Sequence, residues 1–197
     1  MNEISLATLF FAAIFTNNIL LTNFLGLCPH IAISRDLKSA MGIGAAVVFV
    51  TTLTSVLNHV IYYNVLIPFH LEHFRFIIFI IVIASFVQLV EMTIDRYFTR
   101  LYVVLGIFLP LITVNCAILG ISLFMVIREY TFAQSLVYGA GSGIGWMLAI
   151  TLVGSIREKI QKHPNLPRGL VGPGITLIIT GLLSLAFMAF SGMIQIQ

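Results

Sequence analysis

Long uncharged stretches constrain this chain more than any motif does. No Asp, Glu, Lys or Arg occurs between Ile4 and Ser34, and none between Leu101 and Ile127. A hydrocarbon core about 30 Å thick needs about 20 mainly apolar residues per crossing helix. Over 197 residues the chain is 59% hydrophobic and 9% charged, whereas soluble domains carry about 25% charge. Apolar surface on this scale cannot be buried inside a soluble domain of this size. The sequence is therefore that of an integral membrane protein.

Six spans are expected, over residues 4–27, 39–60, 74–94, 101–124, 133–156 and 173–194, joined by short connections in a single membrane domain, 1–197. The start, Met1-Asn2-Glu3-Ile4, lacks a basic leader region and a small-residue cleavage site, so it reads as the beginning of the first span. Arg35, Lys38, Arg96, Arg100, Arg157, Lys159, Lys162 and Arg168 fall in loops on one side, and only Arg75 and Arg128 on the other. Basic loops stay cytoplasmic, which predicts that both termini face outward. The formal charge of +3 forms no patch, and no nucleic-acid partner is expected.

The two thiols, Cys28 and Cys116, sit in apolar stretches beside helix-disturbing residues: Gly26 and Pro29 for one, Gly106, Pro110 and Asn115 for the other. A lone buried Cys is usually a small hydrophobe without chemistry. A pair on interrupted helices in lipid points instead to a metal or redox site. The run 4–34 is about ten residues longer than a span requires. Its surplus can form a half-helix that returns toward mid-depth, with Asn17, Asn18, Asn23, Gly26 and Pro29 favouring the break. Two Cys cannot build a disulfide framework. They could fill half the four-Cys set of an iron–sulfur cluster if a partner supplied the rest; a structural zinc would face the same shortage.

The halves echo each other. Cys28 precedes Met41-Gly42-Ile43-Gly44, and Cys116 precedes Ser142-Gly143-Ile144-Gly145, each read as opening the next span. With three spans per half, the second copy is inverted, and such repeats place working sites near the bilayer midplane. The expected fold is an all-α membrane protein of six transmembrane helices. They form two inverted three-helix repeats, about 1–97 and 98–197, broken around the cysteines. Gly141 and Gly145 make a small-residue pair suited to close helix approach, one way to seal a site shared with a partner. Trp146, Tyr62, Tyr63 and Tyr138 read as packing or interfacial anchors, and His70 and His73 as solvated loop residues. No carboxylate lies at a span centre, which disfavours a carboxylate-based proton pump. Phosphate-loop, nucleophile-elbow and dinucleotide fingerprints are absent.

Two segments carry a family resemblance: Asn18-Ile19-Leu20-Leu21-Thr22-Asn23-Phe24-Leu25-Gly26-Leu27-Cys28, and the sixteen-residue motif from Leu105 to Gly120 that contains Thr113-Val114-Asn115-Cys116-Ala117. They resemble the membrane-subunit family shared by two bacterial complexes. One is the Na⁺-translocating NADH:quinone oxidoreductase (NqrD and NqrE), the other the Rnf complex (RnfA and RnfE). Residues 138–150 and 156–159 are nearest the NqrE branch, and Phe187-Met188-Ala189-Phe190-Ser191-Gly192 is shared across the family. Leu27-Cys28-Pro29 is nearer RnfA. The resemblance implies that Cys28 and Cys116 ligate a [2Fe–2S] cluster shared with an inverted NqrD-like paralogue. It implies a six-subunit translocase in the bacterial inner membrane, moving Na⁺ as NADH reduces a quinone such as ubiquinone. NADH and flavins would be bound by other subunits, an NADH-oxidising flavoprotein and FMN-carrying ones, so this chain alone holds no complete active site. Rivals are an RnfA subunit of a ferredoxin:NAD⁺ oxidoreductase and, from another class, a secondary transporter with inverted repeats.

Overall fold

A computed structural model describes residues 5–34, 37–97, 109–161 and 172–191, and these are helix and turn without a strand. Lipid offers no partners to backbone N–H and C=O groups, so a spanning chain closes its hydrogen bonds within helices. Helix α1 (Leu6–Phe11) runs into a π turn (Ala12–Thr16), and α2 is Leu27–Ile33. Helix α3 (Leu37–Ile61) continues through a second π turn (Tyr62–Leu66), and α4 is Arg75–Tyr97. The second half holds α5 (Leu109–Thr113), α6 (Cys116–Ile127), α7 (Phe132–Gln161) and α8 (Pro173–Ser191). The order of short helix, short Cys-bearing helix, long helix and final helix thus occurs twice.

Four stretches are long and apolar enough to cross a membrane: Ser39–Leu66, Glu72–Thr93, Pro110–Ile127 and Phe132–Ile160. They correspond to four of the six expected spans. The other two appear as shorter apolar helices, Leu6–Thr16 and Pro173–Ala189. The continuous first span expected over 4–27 is not formed, because the chain leaves the helix at Asn17 and re-enters it only at Leu27. Residues 101–108 of the expected fourth span, the motif residues Leu105–Phe108, the loop residues Arg35, Arg100, Lys162 and Arg168, and the end of the last span at Ile194 lie outside the described residues.

The centre of the molecule is the antiparallel pair α3 and α7. Ser55 Oγ donates to Ser135 O at 3.3 Å, and further along, a Cβ on Gly143 would lie 2.5 Å from Thr51 Oγ1 and 2.9 Å from Val48 Cα. Only a residue without a side chain permits that approach. Around this pair Ile19, Leu20, Leu21, Ile43, Val47, Ile118, Trp146 and Ala149 form a continuous buried core. Helix α4 is peripheral, with Phe76, Ile77, Ile80, Ile81, Leu89 and Met92 exposed along it.

The fold corrects two expectations. The Gly-Ile-Gly recurrence does not mark equivalent positions. Gly42 and Gly44 stand in the first turns of α3, Gly42 with nothing within 4 Å and Gly44 against Met147 of α7, whereas Gly143 and Gly145 lie mid-way along α7 in close packing. Lys38, Arg75, Arg96, Arg157 and Lys159 are not loop residues, since α3 begins at Leu37, α4 spans Arg75–Tyr97 and α7 continues to Gln161; Arg157 is buried, 2% exposed.

Candidate functional site

The first break is built around one amide. Asn18 Nδ2 donates to Ile14 O at 3.0 Å and to Gly145 O of α7 at 2.8 Å. Its Oδ1 accepts from Leu20 N at 3.1 Å and Leu21 N at 3.3 Å. One side chain thus ends the π turn, starts the following turn and pins both to the middle of α7. The path then needs left-handed backbone at Phe24 (φ 54°) and Gly26 (φ 84°) before α2 begins. Ser184 Oγ of α8 donates to Leu21 O and holds the same segment from the other side.

Helix α2 carries Cys28 in its first turn. Its buried His30 shares a 3.0 Å hydrogen bond between Nε2 and Thr180 Oγ1. That hydroxyl already gives its proton to Thr176 O at 2.7 Å, so the imidazole is the donor. Arg157 closes the far end of α2. Its Nη1 donates to Ser34 Oγ at 2.7 Å and Ile31 O at 3.4 Å, and its Nη2 to Gly172 O at 3.3 Å.

The second break is shorter. Helix α5 stops at Thr113, and Asn115 caps α6, its Oδ1 accepting from Ala117 N at 3.0 Å. Cys116 is the first residue of α6. Twelve residues from there to Ile127 rise about 18 Å, more than half of a core about 30 Å thick.

The two breaks meet. Gly26 N–H donates to Cys116 Sγ at 3.0 Å, so the backbone leading into Cys28 lies on the sulfur of the other cysteine. A Cβ on Gly26 would stand 2.5 Å from Trp146 Nε1 and 3.0 Å from Ala117 Cβ. Trp146 is entirely buried, and its Nε1 has no hydrogen-bond partner. It is neither solvated nor interfacial; it forms the wall behind the cysteine site. Cys28 is exposed and Cys116 partly so. Phe24 (49% exposed) and Val114 (71%) put apolar side chains at the surface close in sequence to them.

Two soft thiols, one sulfur already receiving an N–H, suit a soft metal centre better than a hard cation, which takes oxygen ligands. Among the described residues no group of three or more His, Cys, Asp or Glu is placed to hold a metal ion. His70 and His73 lie exposed in the turns before α4, away from the thiols. The expected sealing of a partner interface by Gly141 and Gly145 is not what these residues do. Gly141 lies against Ala13 and Phe10, and Gly145 against Ile14, Ala13 and Asn18, all within the chain. Asn18 was legible as a helix breaker. Arg157 and Trp146 were not legible as parts of this region, because their partners are remote in sequence.

Relatives among known proteins match nearly the whole chain. Residues 6–194 match the family described as Rnf-Nqr subunit, membrane protein. The chain is 50% identical over 195 residues to the E subunit of the Na(+)-translocating NADH-quinone reductase of Psychromonas ingrahamii, covering 94% of this chain and 96% of the relative. The corresponding E subunits of Alcanivorax borkumensis (50% over 198 residues) and Proteus mirabilis (51% over 191) are similar over the same shares. With a matched region that takes in both cysteine-bearing breaks and all the described helices, this chain belongs to the Rnf-Nqr membrane-subunit family.

Proposed function

We propose that this chain is the E subunit of a Na⁺-translocating NADH:quinone oxidoreductase in the bacterial inner membrane. In this reading it carries electrons through an intramembrane [2Fe–2S] cluster shared with an NqrD-like paralogue. The observation that carries the reading is the contact between the two breaks, Gly26 N–H on Cys116 Sγ. It joins the chain's two thiol-bearing segments. Cys28 and Cys116 would hold iron through their thiolates, and a paralogous pair would complete the four-Cys set. A bound cluster supplies a one-electron carrier that divides a core of about 30 Å into two shorter hops.

The chain's own residues do the rest. Asn18, Arg157 and His30 hold the interrupted segments against α7 and α8. Trp146, Ala117 and Leu25 pack behind the sulfurs and exclude water. Gly26 directs an N–H at Cys116 Sγ, where negative charge is stabilised by donors. The equivalent long helices α3 and α7 pack antiparallel, as expected if the repeats over 1–97 and 98–197 are inverted. NADH, flavin and quinone chemistry falls to other subunits, including an NADH-oxidising flavoprotein and FMN-carrying ones. Leu27-Cys28-Pro29 favours a second reading, an RnfA subunit, which the subunits that co-purify would distinguish.

The test is substitution in the assembled complex. Cys28→Ser or Cys116→Ser should each remove the cluster, read as iron and acid-labile sulfide, and stop quinone reduction by NADH. A hydroxyl is a poor replacement for a soft thiolate ligand. Normal iron and normal activity in either variant would overturn the proposal.

A further inference from the structure

Helix α2 is only seven residues long, Leu27–Ile33, and a helix that short is not held without tertiary contacts. The chain enters it through left-handed backbone at Gly26, so no continuous helix before it fixes its direction. Its placement is set by what its side chains touch. Successive residues of an α-helix lie about 100° apart around the axis. Relative to Cys28, Pro29, Ile33, His30 and Ser34 therefore stand at about 100°, 140°, 200° and 240°, and all four are buried. Cys28 and Ala32, on the opposite arc, are exposed. In lipid, polar side chains turn to the protein interior, so the imidazole and the Ser34 hydroxyl go inward and the thiol goes out.

His30 fixes this rotation. Its Nε2–H donates to Thr180 Oγ1 of α8 at 3.0 Å, and the Thr180 hydroxyl is itself locked on Thr176 O at 2.7 Å. This pin lies about half a turn from Cys28, a rise of about 3 Å. Arg157 holds the far end of α2 through Ser34 Oγ and Ile31 O, and Gly26 N–H holds the near end on Cys116 Sγ. The end contacts limit sliding along the axis. The imidazole, about 200° round from the thiol, limits turning about it.

Resting on the cluster reading above, we infer that His30 is a positioning residue for Cys28. Its bond to Thr180 sets the rotation of α2 and thereby the place at which Cys28 Sγ meets the metal group. Cys28 is exposed, so its own side chain has little packing to hold it, and the helix must do so. His30 acts through that helix rather than on the group itself.

The experiment uses the assembled complex. Iron and acid-labile sulfide are measured first. Their absence from the wild-type complex would remove the cluster reading, and this inference with it. With iron present, His30→Leu removes the donor, while Thr180 keeps its bond to Thr176 O. Membrane hydrogen bonds are individually modest, so this variant should assemble. The expected result is altered g values of the reduced cluster in electron paramagnetic resonance, with a shifted midpoint potential. Quinone reduction by NADH should fall about tenfold in kcat with KM for NADH unchanged, the low end of what losing a group that orients a metal ligand costs. His30→Gln, which offers an N–H in the place of Nε2, should restore the wild-type spectrum. Thr180→Val, which removes the acceptor on α8, should reproduce the spectrum of His30→Leu. A wild-type spectrum and potential in His30→Leu at full iron content would overturn the inference and leave the cluster reading standing, whatever the thermal midpoint of the variant. If Leu prevents assembly, the other two variants decide. An altered spectrum with Gln, or an unaltered one with Thr180→Val, would overturn it equally.

Discussion

At the scale of single residues, Gly26 is the most demanding position. Its backbone is left-handed, and its missing Cβ is the space occupied by Trp146 and Ala117. A left-handed conformation costs a side-chain-bearing residue about 1–2 kcal/mol, and overpacking costs about 1–3 kcal/mol. Gly26→Ala should therefore destabilise the protein by about 3 kcal/mol, seen as a lower thermal midpoint in detergent with loss of bound iron from the complex. Gly42→Ala is the control. It sits within helix α3 with nothing within 4 Å, so it should raise stability by about 0.5–1 kcal/mol. Equal effects of the two substitutions would contradict the packing described. The sequence already singled out Gly26 with Cys28 as a break, because Gly beside Pro in an apolar run disturbs a helix whatever surrounds it. It could not single out Trp146. Its burial against residue 26 arises from two segments far apart in the chain, and nothing local encodes that contact.

Among the elements, the interrupted first helix is where local sequence and long-range packing meet. A cluster of Asn in an apolar run announced an interruption, since Asn competes with the helix for backbone partners. Its geometry was not legible, because Asn18 completes its bonding only on Gly145 of α7. Asn18→Leu keeps the size and removes all four hydrogen bonds. It should cost about 2–3 kcal/mol, since membrane hydrogen bonds are individually modest, about 0.6 kcal/mol on average. Unfolding in mixed micelles measures this, and an unchanged midpoint would show that the break is held by apolar packing alone. Arg157 poses the converse lesson. Its charge placed it in a cytoplasmic loop when read locally, yet its guanidinium joins the end of α2 to Gly172 just before α8. Arg157→Lys should not rescue what Arg157→Met loses, because one ammonium lacks the planar fork that reaches both elements. Similar thermal midpoints for Lys and the wild type would refute that role.

For the whole molecule, the helical membrane architecture was legible because charge-free length is a direct consequence of lipid thickness. The first and last crossings were less so, since only four stretches among the described residues reach full crossing length. Orientation rests on the distribution of basic residues. Reporter fusions at Gln197 should be active outside the cytoplasm, and a cytoplasmic C-terminus would overturn the orientation. The surface at the cysteines supports the remaining prediction. Cys28 is exposed, with exposed Phe24 and Val114 close in sequence to the two thiols, and the small-residue pair Gly141–Gly145 is already used within the chain. A redox group held there by two thiolates from one side would be open to lipid and half-ligated. An inverted paralogue, presenting a matching face at the same depth, would complete the ligand set and cover the apolar rim. The chain expressed alone should therefore bind little iron, and co-expression with the paralogue should restore iron, sulfide and visible absorbance together. A stoichiometric cluster in a verified monomer would refute sharing. A homodimer carrying the cluster would remove the requirement for a paralogue while leaving Cys28 and Cys116 as the ligands.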